Sequence, residues 1–191
     1  MTNQPNPRGP FRTFLFAPGN HSRRVEKALF LNADVVILDL EDAVALAEKV
    51  KTRAVVAEAL KGPRRGLGYV RINAFDTDHC FGDLLVVVAN GVDGIFLPKV
   101  ETAAQLQAID WMVTHLEREK SLPIGKIDIM PIIETSRGIA NIHEIAMSGS
   151  RVKRLSFGAG DYTKDMAMRW TRDEAELMHA RAEIAVASRS A

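Results

Sequence analysis

Six times along the chain a short apolar run, bounded by Gly, Pro or Asp, gives way to a stretch with apolar residues at helical spacing. The runs cover residues 13–17, 35–40, 69–73, 94–98, 127–133 and 154–158. Unbroken blocks of Val, Ile and Leu at that length are what a strand covered on both faces requires. The stretches between them, residues 22–31, 44–61, 81–90, 102–120, 139–147 and 172–188, are predicted helices. Parallel neighbours need a crossover and a helix supplies it, so strand then helix, repeated, means a parallel α/β sheet. No low-complexity segment or long linker interrupts the pattern. A single domain over residues 12–191 is expected, behind a disordered leader over residues 1–11, where MTNQPNPRGP is polar and Pro-rich.

Composition narrows the functional classes. The chain has 191 residues, 47% of them hydrophobic, enough for one sizeable core. Its 25 Lys plus Arg against 24 Asp plus Glu leave a net charge of +1, so no global field gathers nucleic acid or anionic lipid. Neither is expected as a partner, and no apolar stretch has the length of a signal peptide or membrane span. The single cysteine, Cys80, excludes an intrachain disulfide and suits a reducing cytosol; a small, partly buried residue is its expected role. His21, His79, His115, His143 and His179 lack metal-ligand spacing, and zinc is not expected.

In parallel α/β folds, ligands collect where the strands' carboxyl ends meet the following loops. All six ends here are polar: FAPGNHSRR, LDLEDAV, RINAFD, LPKVE, IIETSRG and GAGDYTKD. Glu134 and Asp161 close successive runs, which puts two carboxylates on one rim, where they can share Mg²⁺, an ion that accepts few protein carboxylates and keeps several waters. The competing reading of each is a structural cap. Asp39, Glu41 and Asp42 crowd three carboxylates at one strand end and require a cation or basic side chain nearby, unless Asp42 caps the next helix. Arg71, inside an apolar strand, requires an anion at the rim: a ligand, or a carboxylate in a plain ion pair. Pro18, Gly19 and Asn20 lead into a helix whose free N–H groups, with Arg23 or Arg24, suit a phosphate or carboxylate, or else form a turn and cap. Lys99 is an anion contact or an exposed loop lysine.

Taken together, RTFLFAPGN, DVVILDLEDAV, YVRINAFD, GIFLPKVE, PIIETSRGI and FGAGDYTKDM, in that order, resemble the citrate lyase beta-subunit-like branch of the HpcH/HpaI aldolase and citrate lyase superfamily, from about Arg12 onward. The resemblance implies a (β/α)₈ barrel of TIM type and a Mg²⁺-dependent carbon–carbon lyase on a 3-hydroxyacyl thioester, usually of coenzyme A and of citryl, malyl or citramalyl type. It implies metal ligands at Glu134 and Asp161, and a substrate-oxygen contact at Arg71 and through Glu134. Glu41 and Asp42 would orient metal-held waters, with Lys99, Pro18, Gly19, Asn20 and Arg23 toward the substrate. It further implies a cytoplasmic homo-oligomer, a trimer or hexamer. Gly160 departs from the pattern, since many relatives have an acid there.

An eight-unit barrel takes about 250 residues, and six units are legible here, so the barrel is expected to be incomplete at its C-terminal side. The family's acidic residue from a C-terminal segment, which enters a neighbouring subunit's site, has no counterpart in these motifs. The alternatives to the lyase are condensation or thioester hydrolysis at the same site, and a catalytically silent subunit that binds metal or coenzyme A.

Overall fold

The computed structural model describes residues 11–191. Six parallel strands lie side by side in chain order: β1 (Phe14–Pro18), β2 (Val35–Asp39), β3 (Leu67–Arg71), β4 (Gly94–Leu97), β5 (Asp128–Ile133) and β6 (Ser156–Phe157). The sheet curls into part of a (β/α) barrel with helices outside, and the consecutive order rules out a doubly wound sheet with a switch point. Of the expected leader only Phe11 is described, and its ring meets Phe14 edge-on and lies under the Arg154 guanidinium; the rest lies outside the described residues.

Side chains alternate across the sheet. Val36, Leu38, Val70, Ile95, Leu97, Ile129 and Ile133 point outward into the main core, against the helices. Val35, Ile37, Leu67, Tyr69, Phe96, Met130 and Ile132 form a smaller cluster on the concave face. Each fully buried Leu or Ile stabilises the fold by roughly 1.5–3 kcal/mol, so this two-sided burial is the main force holding the strands together.

The helices follow the apolar spacing. In α1 (Ser22–Phe30), Val25, Ala28 and Leu29 are buried at the i, i+3, i+4 positions. A 3₁₀ turn, Leu46–Glu48, leads into α2 (Lys49–Ala59), and α3 (Cys80–Val87) begins at the buried Cys80, whose thiol burial pushes up to about 12. α4 (Ala103–Glu119) starts from a reciprocal cap between Thr102 and Gln105 and buries Leu106, Ile109, Val113 and Leu116.

Several expected elements differ, and the helices expected over 44–61 and 172–188 begin only at Lys49 and Met178, each after a 3₁₀ turn. β3 begins and ends two residues early, because Asn73 N–H leaves the ladder to donate to Asp83 Oδ2 at 2.8 Å. The helix expected over 139–147 is two: α5 (Ser136–Ala140), which starts early because Thr135 Oγ1 accepts from Gly138 N–H, and α6 (Ile142–Ala146). Asn141 separates them, its side chain donating to the Glu101 carbonyl at 2.8 Å. The sixth strand shrinks to two residues because GAGD opens another helix, α7 (Ala159–Asp165), before a 3₁₀ turn (Ala175–Leu177) and α8 (Met178–Ser190). Asp161 therefore lies in the first turn of α7, not at a strand end.

Candidate active site

Register builds the rim. Pro18, Asp39 and Arg71 are partners across β1, β2 and β3, and the period of two that turns Val35, Ile37, Leu67 and Tyr69 inward turns Asp39 and Arg71 inward as well. Asp39 is buried and takes the arginine fork on both oxygens, from Nε at 2.8 Å and Nη2 at 2.6 Å. The same carboxylate accepts from the backbone N–H of Glu41 and Ala43, which shapes the acidic loop after β2. Of the two readings of Arg71 the structure realises the ion pair, and the guanidinium also lies 5.4 Å over the Phe16 ring. One nitrogen remains turned toward the rim: Nη1 is 2.9 Å from Glu41 Oε2, a charge contact without a directed hydrogen bond, and 3.8 Å from Asp42. Burial works against the arginine's charge, but the Asp39 hydrogen bonds and the acids around it raise its pKa.

Glu41 is buried; Asp42, beside it, is largely exposed. Desolvation raises the Glu41 pKa, opposed by the Lys99 hydrogen bond and by Arg71. Lys99 itself has a left-handed backbone, φ 53°, which points its N–H and its side chain at different acids. Its N–H donates to Glu134 Oε1 at 3.0 Å. Its ammonium pairs with Glu41 Oε1 and lies 3.6 Å from Asp161 Oδ2 and 3.9 Å from Asp42 Oδ2. Burial disfavours that charge, yet the bond to Glu41 and the surrounding acids raise the lysine's pKa.

Glu134, one residue beyond β5, is only 3% exposed. Burial pushes its carboxyl up to about 7; Lys99 pulls it down, and Asp161 and Glu41 push it further up. Gly158 makes room for it: a Cβ there would stand 2.2 Å from Glu134 Oε2, so only glycine fits under the carboxylate. Among the described residues no three His, Cys, Asp or Glu side chains converge on one metal position. Two hard oxygen donors, Glu134 and Asp161, lie on either side of Lys99 and could hold Mg²⁺, an ion that keeps several waters. The raised Glu134 carboxyl in a cluster of acids marks a position where added positive charge is favourable.

On the β1 side, Gly19 sits tight against α2 and donates its N–H to the Asp39 carbonyl at 2.9 Å; a Cβ would meet that oxygen at 2.7 Å. Asn20 Nδ2 donates to Glu48, leaving its buried Oδ1 without a partner. His21 precedes α1 without a side-chain cap. Arg23 and Arg24 are exposed on the first turn of α1, and Arg23 enters none of the ion pairs above.

Sequence reading missed the layer beneath. Lys49, at the start of α2, donates to the Leu40 carbonyl at 2.9 Å, the Glu41 carbonyl at 2.6 Å and Asn73 Oδ1 at 2.6 Å. Asn73 Nδ2 donates in turn to Asp83 at 2.7 Å, and Arg53 Nε pairs with Asp83 at 2.7 Å. Asn73, inside the VRIN run, was the one available signal; the others lie in helices whose pattern shows only which face is apolar.

A family model described as HpcH/HpaI aldolase/citrate lyase matches residues 12–191. The chain is 41% identical over 182 residues to a citrate lyase subunit beta of Leuconostoc mesenteroides subsp. cremoris, covering 94% of this chain and 60% of that one. It is 40% identical over 170 residues to an L-malyl-CoA/beta-methylmalyl-CoA lyase of Cereibacter sphaeroides, covering 86% of this chain and 53% of that one. It thus spans little more than half the length of these relatives. A solved citrate lyase beta subunit from Mycobacterium tuberculosis, complexed with oxaloacetate and magnesium, superposes with a TM-score of 0.77 at 30% identity, covering 97% of this chain and 77% of that one.

Proposed function

We propose, for a chain that belongs to the HpcH/HpaI aldolase/citrate lyase family, that the whole protein is a Mg²⁺-dependent carbon–carbon lyase acting on a 3-hydroxyacyl-coenzyme A ester. The observation that carries this reading is the convergence of Glu134, Asp161, Lys99, Glu41 and Arg71 on one rim of the barrel. The names of the relatives and the magnesium and oxaloacetate in the superposable structure support it.

Glu134 and Asp161 are the residues that would hold Mg²⁺. When bound, the ion supplies Lewis-acid polarisation of the hydroxy acid's oxygens. Cleavage is a retro-Claisen step: the 3-hydroxyl gives up its proton to water beside Glu41 and Asp42, the carbon–carbon bond breaks to a keto acid and a thioester enolate, and the enolate carbon takes a proton back from that water to leave the acyl-coenzyme A. Charge moves between oxygens throughout. Arg71, its fork fixed by Asp39, presents Nη1 where oxyanion charge grows, a charge-assisted contact that needs no reorganisation during reaction. Glu41 and Asp42 orient water beside the reacting oxygens. Lys99 is at hand for a substrate carboxylate. Pro18, Gly19, Asn20 and Arg23 border the entry for the thioester carrier.

The protein is read as a cytosolic homo-oligomer, a trimer or hexamer. Among the described residues no helix is long and apolar enough to cross a membrane. The concave aromatic face of β1, with Phe14 37% and Phe16 46% exposed, favours association.

The deciding experiment assays citryl-, malyl- and citramalyl-coenzyme A with and without Mg²⁺, for the wild type and Arg71→Lys. Cleavage of one ester that requires Mg²⁺, with turnover reduced about a hundredfold in Arg71→Lys and Mg²⁺ affinity unchanged, is the expected result. Mg²⁺ binding without turnover of any ester would identify a silent subunit and overturn the lyase.

A further inference from the structure

Among the described residues Lys99 alone reaches both carboxylates assigned to the metal, and it does so by different ends. Its main-chain N–H holds Glu134 at 3.0 Å, while its ammonium lies 3.6 Å from Asp161 and pairs with Glu41. The left-handed backbone at residue 99 makes this double reach possible. Arg71, the other cation of the rim, is fixed in the fork on Asp39 and has no contact with Asp161 among those described. The lysine side chain, 37% exposed and joined to the rim by its tip, has room to move.

An ammonium beside Glu41 and Asp161 supplies the positive charge that a divalent ion on Glu134 and Asp161 would bring. The two charges repel when both are within a few ångströms of Asp161 in a partly desolvated site. We propose that Lys99 is a tethered competitor of the divalent cation: its ammonium balances the acidic rim, and uptake of Mg²⁺ requires it to withdraw from Asp161. The cation affinity of the site is then set by the lysine as much as by the carboxylates. This inference rests on the metal site assigned above and adds an opponent to it.

The test is calorimetric titration with Mg²⁺ alone, on the wild type, Lys99→Met, Lys99→Gln, Lys99→Arg and Glu134→Gln, each first checked for a cooperative thermal melt. Lys99→Met and Lys99→Gln, which lack the competing charge, should bind Mg²⁺ at least about 10-fold more tightly than the wild type. Lys99→Arg, which keeps the charge, should bind like the wild type, and Glu134→Gln more weakly. Affinity in Lys99→Met and Lys99→Gln equal to or below that of the wild type would overturn the competitor role while leaving the metal site standing. Loss of the melt in both would also overturn it, making the lysine a structural counter-ion. Wild-type affinity in Glu134→Gln, or no binding by any form, would instead remove the metal site itself.

Discussion

Glu134 is the residue whose environment leaves the clearest mark on solution behaviour. Its carboxyl, at about 7 against an ordinary 4.5, holds its proton more firmly in the folded chain than in the unfolded one. The stability this contributes is fully present below about 4.5 and is lost as pH rises through about 7, leaving a buried charge that costs about 3 kcal/mol without added cation. Glu134→Gln removes the titration. Its urea-unfolding free energy in chelator should rise relative to the wild type between pH 4.5 and 7 and level off above; parallel curves would mean that the carboxylate is solvated as in water. The type and rim position of Glu134 were legible because an acid after an apolar strand of a parallel sheet has nowhere else to go. The Gly158 floor beneath it was not, since that contact joins two strand ends whose relative height only the folded sheet defines. Asp39 was legible as one of three crowded acids, but not as the partner of Arg71, because register decides which of Asp39, Glu41 and Asp42 faces the arginine.

At the scale of the element, the loop after β2 carries Glu41 and Asp42 without a regular structure of its own, and its shape comes from beneath. The Lys49 ammonium satisfies the carbonyls of Leu40 and Glu41 together with Asn73 Oδ1. Lys49→Met leaves these acceptors without a charged donor and should cost about 3 kcal/mol in urea unfolding. Lys49→Arg should recover part of that, whereas equal loss in both would point to the lysine's geometry and not its charge. The existence of the strands was readable from apolar blocks, and their ends were not. β3 stops at Arg71 because Asp83, twelve residues on and inside a helix, takes the next free N–H. β6 stops after two residues because the small residues of GAGD suit a helix start as well as a loop. Asp161 consequently owes its place to α7, and any change that shortens α7 will be felt by the carboxylate it carries.

The whole molecule is a curved sheet with one thick and one thin core. The outer layer is sealed by helices, while the inner layer holds only a small cluster, and β1 contributes Phe14 and Phe16 to it largely uncovered. A patch of this kind on a folded protein favours association or captures apolar probes. The native chain should therefore enhance anilinonaphthalene sulfonate fluorescence, and Phe14→Ser with Phe16→Ser should reduce that signal without loss of the cooperative melt. Dye binding unchanged in the double variant would place the sticky surface elsewhere. The parallel α/β sheet was legible from the six-fold alternation and the barrel type from the family resemblance, but the bareness of this face was not, because an unbroken apolar run announces burial on both sides without saying what covers each. The sheet's order has a consequence for how such a chain comes into being. Each strand from β2 to β6 pairs with the one just before it in the sequence, so during synthesis each of these strand–helix units finds its docking edge already made. Growth from the ribosome can proceed like laying planks, each fastened to the last.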